Sequence, residues 1–172
     1  MRICALFIVL MLCFSSCKSS KHSKIVTKKE RVNTNKEAVI TKNDNVIANK
    51  IVQHAMEYSG VRYKYGGENK KGMDCSGLIV TAFNREAIIL PRTTKNLSVS
   101  GNWIDLKTVE KGDLLFFATK KNSRHINHVG IVTDITKDDV QFIHSTTSKG
   151  VITSLLSERY WYLAFVQARR VL

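Results

Sequence analysis

Cys75 stands in the tetrapeptide DCSG, directly after a loop rich in glycine and tyrosine. It opens a segment whose Leu78, Ile79, Ala82 and Phe83 form one apolar helical face. Backbone N–H groups in a first helical turn lack partners within the helix, and the helix dipole favours negative charge there. A thiol in that position has its thiolate stabilised, and the thiolate is the nucleophilic form. Gly77 permits close approach of other backbone to this turn. The cysteine count adds to the case. Of the 4 cysteines, Cys4 and Cys13 lie in an apolar leader and Cys17 just beyond it, so Cys75 is the free thiol expected in a mature exported chain. Such a thiol is either reactive or a small buried core residue, and a helix start alone does not choose between the two.

A nucleophilic thiol needs a base, and the base needs a group that orients it. The 5 histidines offer candidates of different quality. His22 lies in a polar N-terminal stretch, His54 among polar neighbours on a helix, and His125 in the polar segment KKNSRHIN; each reads as a surface residue. His128 opens the run HVGIV, where a strand end can project a side chain into a cleft, and His144 lies on the next run, VQFIHS. A hairpin closing at Asp138-Asp139 would bring the two near one end of a sheet. The counts from the turn are unequal, however, so the pairing requires a longer turn, a β-bulge, or a partner strand that begins further on. Cys75 with His125 and His128 could also be drawn as zinc ligands. There is no CxxC, and HxxH entering a strand is a weak pattern, so no metal and no cofactor is expected.

Elements that could hold these residues are legible in the periodicity. Ile47, Ile51, Ala55 and Tyr58 recur at helical spacing from about Val46, with Gly60 as a stop. The breaker-rich loop GVRYKYGGENKKGMD follows, then the helix from Cys75, with Pro91 closing that region after Leu90. Beyond Trp103 the texture is β-branched and aromatic, with strands expected over Asp113–Ala118, Val129–Ile135, Val140–Ser145, Val151–Leu155 and Tyr162–Val171. Helices followed by sequential strands imply an α+β domain with an antiparallel sheet.

The N-terminal part is organised differently. Arg2, the apolar run Ile3 to Phe14, and Ser15-Ser16 before Cys17 form an export signal whose cysteine is the expected site of lipid attachment. The run is short for a spanning helix, although an uncleaved anchor or a plain secretory signal would share its features. Residues 18–45 are rich in Lys, Ser, Thr and Asn and are expected to form a basic tether, leaving residues 46–172 as the domain. The formal charge of +13 suits anionic partners such as phospholipid headgroups or acidic wall polymers, or simply a solvated surface. Nucleic acid is disfavoured, because export removes the chain from it and the basic run lacks interleaved aromatics.

Taken in order, GVRYKYGG, KKGMDCSGLI, LPRTT, EKGDLLFF, HVGIV, FIHSTTSKGV and YWYLAFVQARRVL resemble the NlpC (p60-like) cell-wall cysteine peptidases, above all their branch of lipoprotein murein endopeptidases. The resemblance runs from about Ile47 to the C-terminus. It implies a papain-like α+β fold, with N-terminal helices packed on an antiparallel sheet. It implies that Cys75 is the nucleophile, His128 the general base and His144 its orienter, with Tyr63 and the Cys75 backbone N–H binding an oxyanion. Asp74 and Ser76 would shape the nucleophile turn and contact substrate. The substrates implied are stem peptides and cross-bridges of peptidoglycan, hydrolysed by a monomer held in the cell envelope through a lipid on Cys17, at an outer membrane facing the periplasm. A wall amidase, an acyltransferase, or a non-catalytic wall-binding lipoprotein on the same fold are the alternatives.

Overall fold

The computed structural model describes residues 46–172. The signal, the basic tether and Cys17 lie outside the described residues. Helix α1 occupies residues 46–56 and turns through to Gly60, whose φ of 81° suits glycine. The hairpin β1 (Glu68–Asn69) and β2 (Gly72–Met73) leads into α2 (Cys75–Asn84) and the one-turn α3 (Thr94–Leu97). Strands β3 (Asn102–Ile104), β4 (Leu114–Phe117), β5 (His128–Ile135), β6 (Val140–Thr146) and β7 (Gly150–Leu155) follow, then α4 (Arg159–Ala164) and β8 (Phe165–Arg170). Together β3 to β8 form one 6-stranded antiparallel sheet in the order β3-β8-β4-β5-β6-β7. The fold is α+β, as expected.

Both faces of this sheet are buried. Leu114 and Phe116 of β4 join Ile51, Ala55, Leu78, Ile79 and Phe83 in a core between the sheet and helices α1 and α2. Their neighbours Leu115 and Phe117 point the other way, into a second core with Val132, Phe142, Trp161 and Ala168. Alternation along a strand therefore divides LLFF between two apolar environments, which accounts for its unbroken hydrophobicity.

Two expectations change. Helix α2 stops at Asn84, well short of Pro91. Ala87 adopts φ 58°, while Ile88 N–H bonds Phe83 C=O and Ala87 N–H bonds Asn84 C=O. That is a Schellman ending, built here on a residue with a Cβ. The expected strand Tyr162–Val171 is a strand only from Phe165, because Arg159–Ala164 forms α4. Trp161 and Ala164, three apart, are the residues it buries, whereas Tyr160, Tyr162 and Leu163 remain exposed. That is helical spacing hidden inside an aromatic run of high β propensity.

Candidate active site

The turn that carries Cys75 is held by a partly buried ion pair. Asp74 caps α2, its carboxylate accepting from Gly77 N–H at 2.7 Å and from Gly66 N–H at 2.7 Å. Arg92, from the loop before α3, donates to both carboxylate oxygens at 3.0 and 2.9 Å and to Ser76 Oγ at 2.8 Å, and also pairs with Glu68. Burial opposes ionisation of Asp74, but the bonds from Arg92, Gly77 and Gly66 outweigh it and hold the carboxyl below its usual range. A Cβ on Gly77 would collide with the Gly67 carbonyl oxygen, so the close backbone approach expected there is present. Asp74 and Ser76, expected as substrate contacts, are buried beneath this turn. Their polar atoms are taken up by Arg92 and the helix cap, and neither lines the cleft described below.

Cys75 is the first residue of α2, free and partly exposed. Its sulfur lies 3.6 Å from Thr94 Oγ1. Burial pushes the thiol up from its ordinary range, and the Thr94 hydroxyl and the N–H groups of Val129 and Ser76 offset this only in part. The helix start was expected to favour the thiolate; desolvation wins instead, so the resting sulfur is a thiol.

The two histidines share the sheet face opposite α2. Opposed pairs Ile135↔Val140 and Asp134↔Gln141 give way, after an irregularity at Thr133, to Val132↔Phe142 and Ile131↔Ile143. Continued along β5, this register sets His144 across from Gly130, two residues from His128 and on the same face. Without the bulge His144 would oppose Ile131 and point the other way, so one extra residue creates the pair. A Cβ on Gly130 would crowd Phe142 and His144, which glycine avoids. His128 Nε2 lies 2.9 Å from His144 Nδ1, and His144 Nε2 lies 3.1 Å from Ser154 Oγ.

Aromatic rings enclose this pair. Trp161 of α4 stacks on His128 with centroids 5.3 Å apart and meets His144 edge-on at 4.5 Å, while Phe142 packs on His144 at 4.7 Å. Burial lowers His128 to about 4. Burial, and secondarily the charge of His128, lowers His144 to about 3. Both rings are thus neutral near pH 7. With its Nε2 engaged by His144, His128 keeps Nδ1 for a further partner.

A cleft of about 420 Å³ lies at this end of the sheet, lined by Tyr63, Cys75, His128, Lys149, Ser154 and Tyr160 among others. Cys75, His128 and Tyr63 are therefore brought together, with His144 buried behind His128. Burial, then the nearby Cys75 and Asp74, raise the Tyr63 phenol above its ordinary range, so it carries its O–H as a donor. The remaining described histidines stand apart. His54 Nε2 meets Glu86 Oε1 at 2.8 Å, and His125 lies exposed in its loop. Among the described residues no group of three or more His, Cys, Asp or Glu could hold a metal ion. Motif and periodicity assign no part to Arg92, Thr94, Ser154 or Trp161. The first two lie in LPRTT, whose basic and hydroxyl residues beside a proline turn were the available signal.

The fold and site together define an α+β architecture in which a helix-start cysteine shares a cleft with a hydrogen-bonded pair of histidines. Residues 60–170 match the NlpC/P60 family. The chain is 43% identical over 115 residues to the probable endopeptidase NlpC of Escherichia coli, covering 66% of this chain and 71% of that one. It is 34% identical over 128 residues to the murein DD-endopeptidase MepS/murein LD-carboxypeptidase of the same organism, covering 73% of this chain and 64% of MepS. The crystal structure of an NlpC/P60 family protein from Bacillus cereus superposes with a TM-score of 0.66 at 27% identity, over 73% of this chain and 40% of that one. The chain belongs to the NlpC/P60 family.

Proposed function

We propose that this chain is a cysteine endopeptidase that hydrolyses peptide bonds in peptidoglycan stem peptides or cross-bridges. The observation that carries the reading is the neutral His128–His144 pair opening onto the cleft that holds Cys75. As His128 Nδ1 accepts the thiol proton, the Cys75 sulfur attacks the peptide carbonyl and forms a tetrahedral oxyanion. The Tyr63 O–H and the Cys75 backbone N–H donate to that oxyanion. Collapse gives a thioester and an amine, which takes its proton from His128. A water activated by the now neutral His128 then hydrolyses the thioester and regenerates the thiol. His144 holds one tautomer of His128 and shares its transient charge. Asp74 and Ser76 act through the turn they hold.

The family match and the names of the relatives support the substrate class. The leader pattern ending at Cys17 supports attachment by lipid to the membrane, with the basic tether lying against anionic headgroups. Residues after Cys17 contain no acid before Glu30, which is compatible with an outer-membrane lipoprotein facing the periplasm, acting as a monomer. Digestion of defined cross-linked muropeptides followed by mass spectrometry tests the reading. Cleaved stem peptides or cross-bridges are expected from the wild type. Release of intact peptides from sugar would instead identify an amidase, and no new product with any muropeptide would reject hydrolysis.

A further inference from the structure

His144 is fully buried and engages both ring nitrogens, Nδ1 with His128 and Nε2 with Ser154. A neutral imidazole has one donor and one acceptor, so the chain His128–His144–Ser154 has two self-consistent directions. In one, Ser154 accepts from His144 Nε2–H, His144 Nδ1 accepts from His128 Nε2–H, and His128 Nδ1 is bare. In the other, Ser154 donates to His144 Nε2, His144 Nδ1–H donates to His128 Nε2, and the ring hydrogen of His128 sits on Nδ1. Only the first can take a proton from a thiol.

We propose that Ser154 is a positioning residue that selects the first direction, accepting from His144 and so setting the tautomers of both histidines. The proposal rests on His128 serving as the base. Three observations support it. Ser154 lies on β7 opposite Phe142, on the sheet face that carries both histidines. It also lines the cleft, so its hydroxyl hydrogen can turn to the cleft while a lone pair faces His144. His144 also packs against the rings of Phe142 and Trp161, which offer Nε2 no hydrogen-bond acceptor, and Ser154 is the polar group that meets Nε2. Which imidazole nitrogen carries the hydrogen is set by the bond the other nitrogen makes. Without an acceptor at residue 154, a buried Nε2–H has no partner. A bare ring nitrogen is the lesser penalty, so the hydrogen moves to His144 Nδ1 and the chain reverses.

Nitrogen-15 NMR of the full chain in detergent near pH 7 reads the tautomers directly. The wild type is expected to carry hydrogen on Nε2 of both His128 and His144. Hydrogen on Nδ1 of His144 in the wild type would overturn the proposal without any substitution. Ser154→Ala should move the His144 hydrogen to Nδ1 and lower kcat on a cross-linked muropeptide by roughly ten- to a hundredfold, with KM within about twofold. Ser154→Thr keeps the hydroxyl and should recover most of kcat. Unchanged kcat and tautomer in Ser154→Ala would also overturn it. Alkylation of Cys75 by iodoacetamide, which needs no wall substrate, should slow in Ser154→Ala; that readout and the spectrum survive even if the wall-peptidase reading fails. If the alanine variant does not fold, the wild-type spectrum decides.

Discussion

In the proposed chemistry His128 combines a bare Nδ1, a bonded Nε2 and a depressed affinity for protons, and these properties set what the reaction requires of pH. Protonation removes the base only as pH falls toward about 4. kcat/KM should therefore stay level from pH 8 down to about 6 and fall below about 5, provided the fold is intact. An acid limb near the ordinary histidine value, in a rate profile recorded with folding monitored by circular dichroism, would contradict this. The two rings should also differ in rank. His128→Ala is expected to remove activity nearly as fully as Cys75→Ala, because each moves or bears the reacting atoms. His144→Gln keeps a hydrogen-bonding partner and should retain more turnover than His144→Ala, measured as single-turnover rates. DCSG and the two strand histidines were legible at this scale because the sequence neighbours of each define a helix start or a strand. Ser154, Thr94 and Arg92 were not, since their partners lie 10, 19 and 18 residues away in sequence.

Helix α4 matters to the site out of proportion to its length, because Trp161 forms the aromatic wall over both histidines. Trp161→Ala should admit water to the pair and raise both rings toward ordinary values, moving the acid limb of activity to higher pH. It should also cost about 3–5 kcal/mol in chemical denaturation. An unshifted acid limb in a folded Trp161→Ala would show that something other than α4 desolvates the rings. The Schellman ending of α2 makes a second, independent prediction. Ala87→Gly should stabilise the fold by roughly 0.5–1 kcal/mol by relieving a left-handed alanine, with Cys75 reactivity unchanged. The strands flanking the histidines were readable because β-branched runs alternate between punctuating turns. The bulge at Thr133 was readable only as one alternative, since unequal counts are met equally by a longer turn or a later strand start. Helix α4 was hidden because Tyr160, Trp161 and Tyr162 favour strands locally, and the i, i+3 burial of Trp161 and Ala164 is a tertiary fact.

For the molecule as a whole, the buried neutral histidines couple stability to acid. Unfolded rings titrate near 6.5, whereas the folded ones hold out to about 4 and about 3. Below 6.5 the unfolded state binds more protons, so this contribution is complete above about 6.5 and is lost as pH falls through the folded values. Tm should decline from pH 7 to 4, and more shallowly in His144→Gln, which removes one of the two coupled rings. At the other end of the chain, Cys17→Ala should leave hydrolysis by the purified protein intact while releasing the protein from membranes or stalling its processing, read by fractionation and lipid labelling. The strand through LLFF was legible from its texture, but its division between two cores and the insertion of β8 between β3 and β4 were not, because layer and strand order depend on pairings that periodicity does not encode. The central claim is that Cys75 bears the acyl group during turnover. Acid quench of the full chain reacting with a cross-linked muropeptide, followed by intact-mass and peptide mapping, tests it most directly. The expected result is a peptidyl adduct on the peptide containing Cys75, absent from Cys75→Ala, which also yields no product. Product formation by Cys75→Ala at the wild-type rate, with no adduct in either protein, would contradict it.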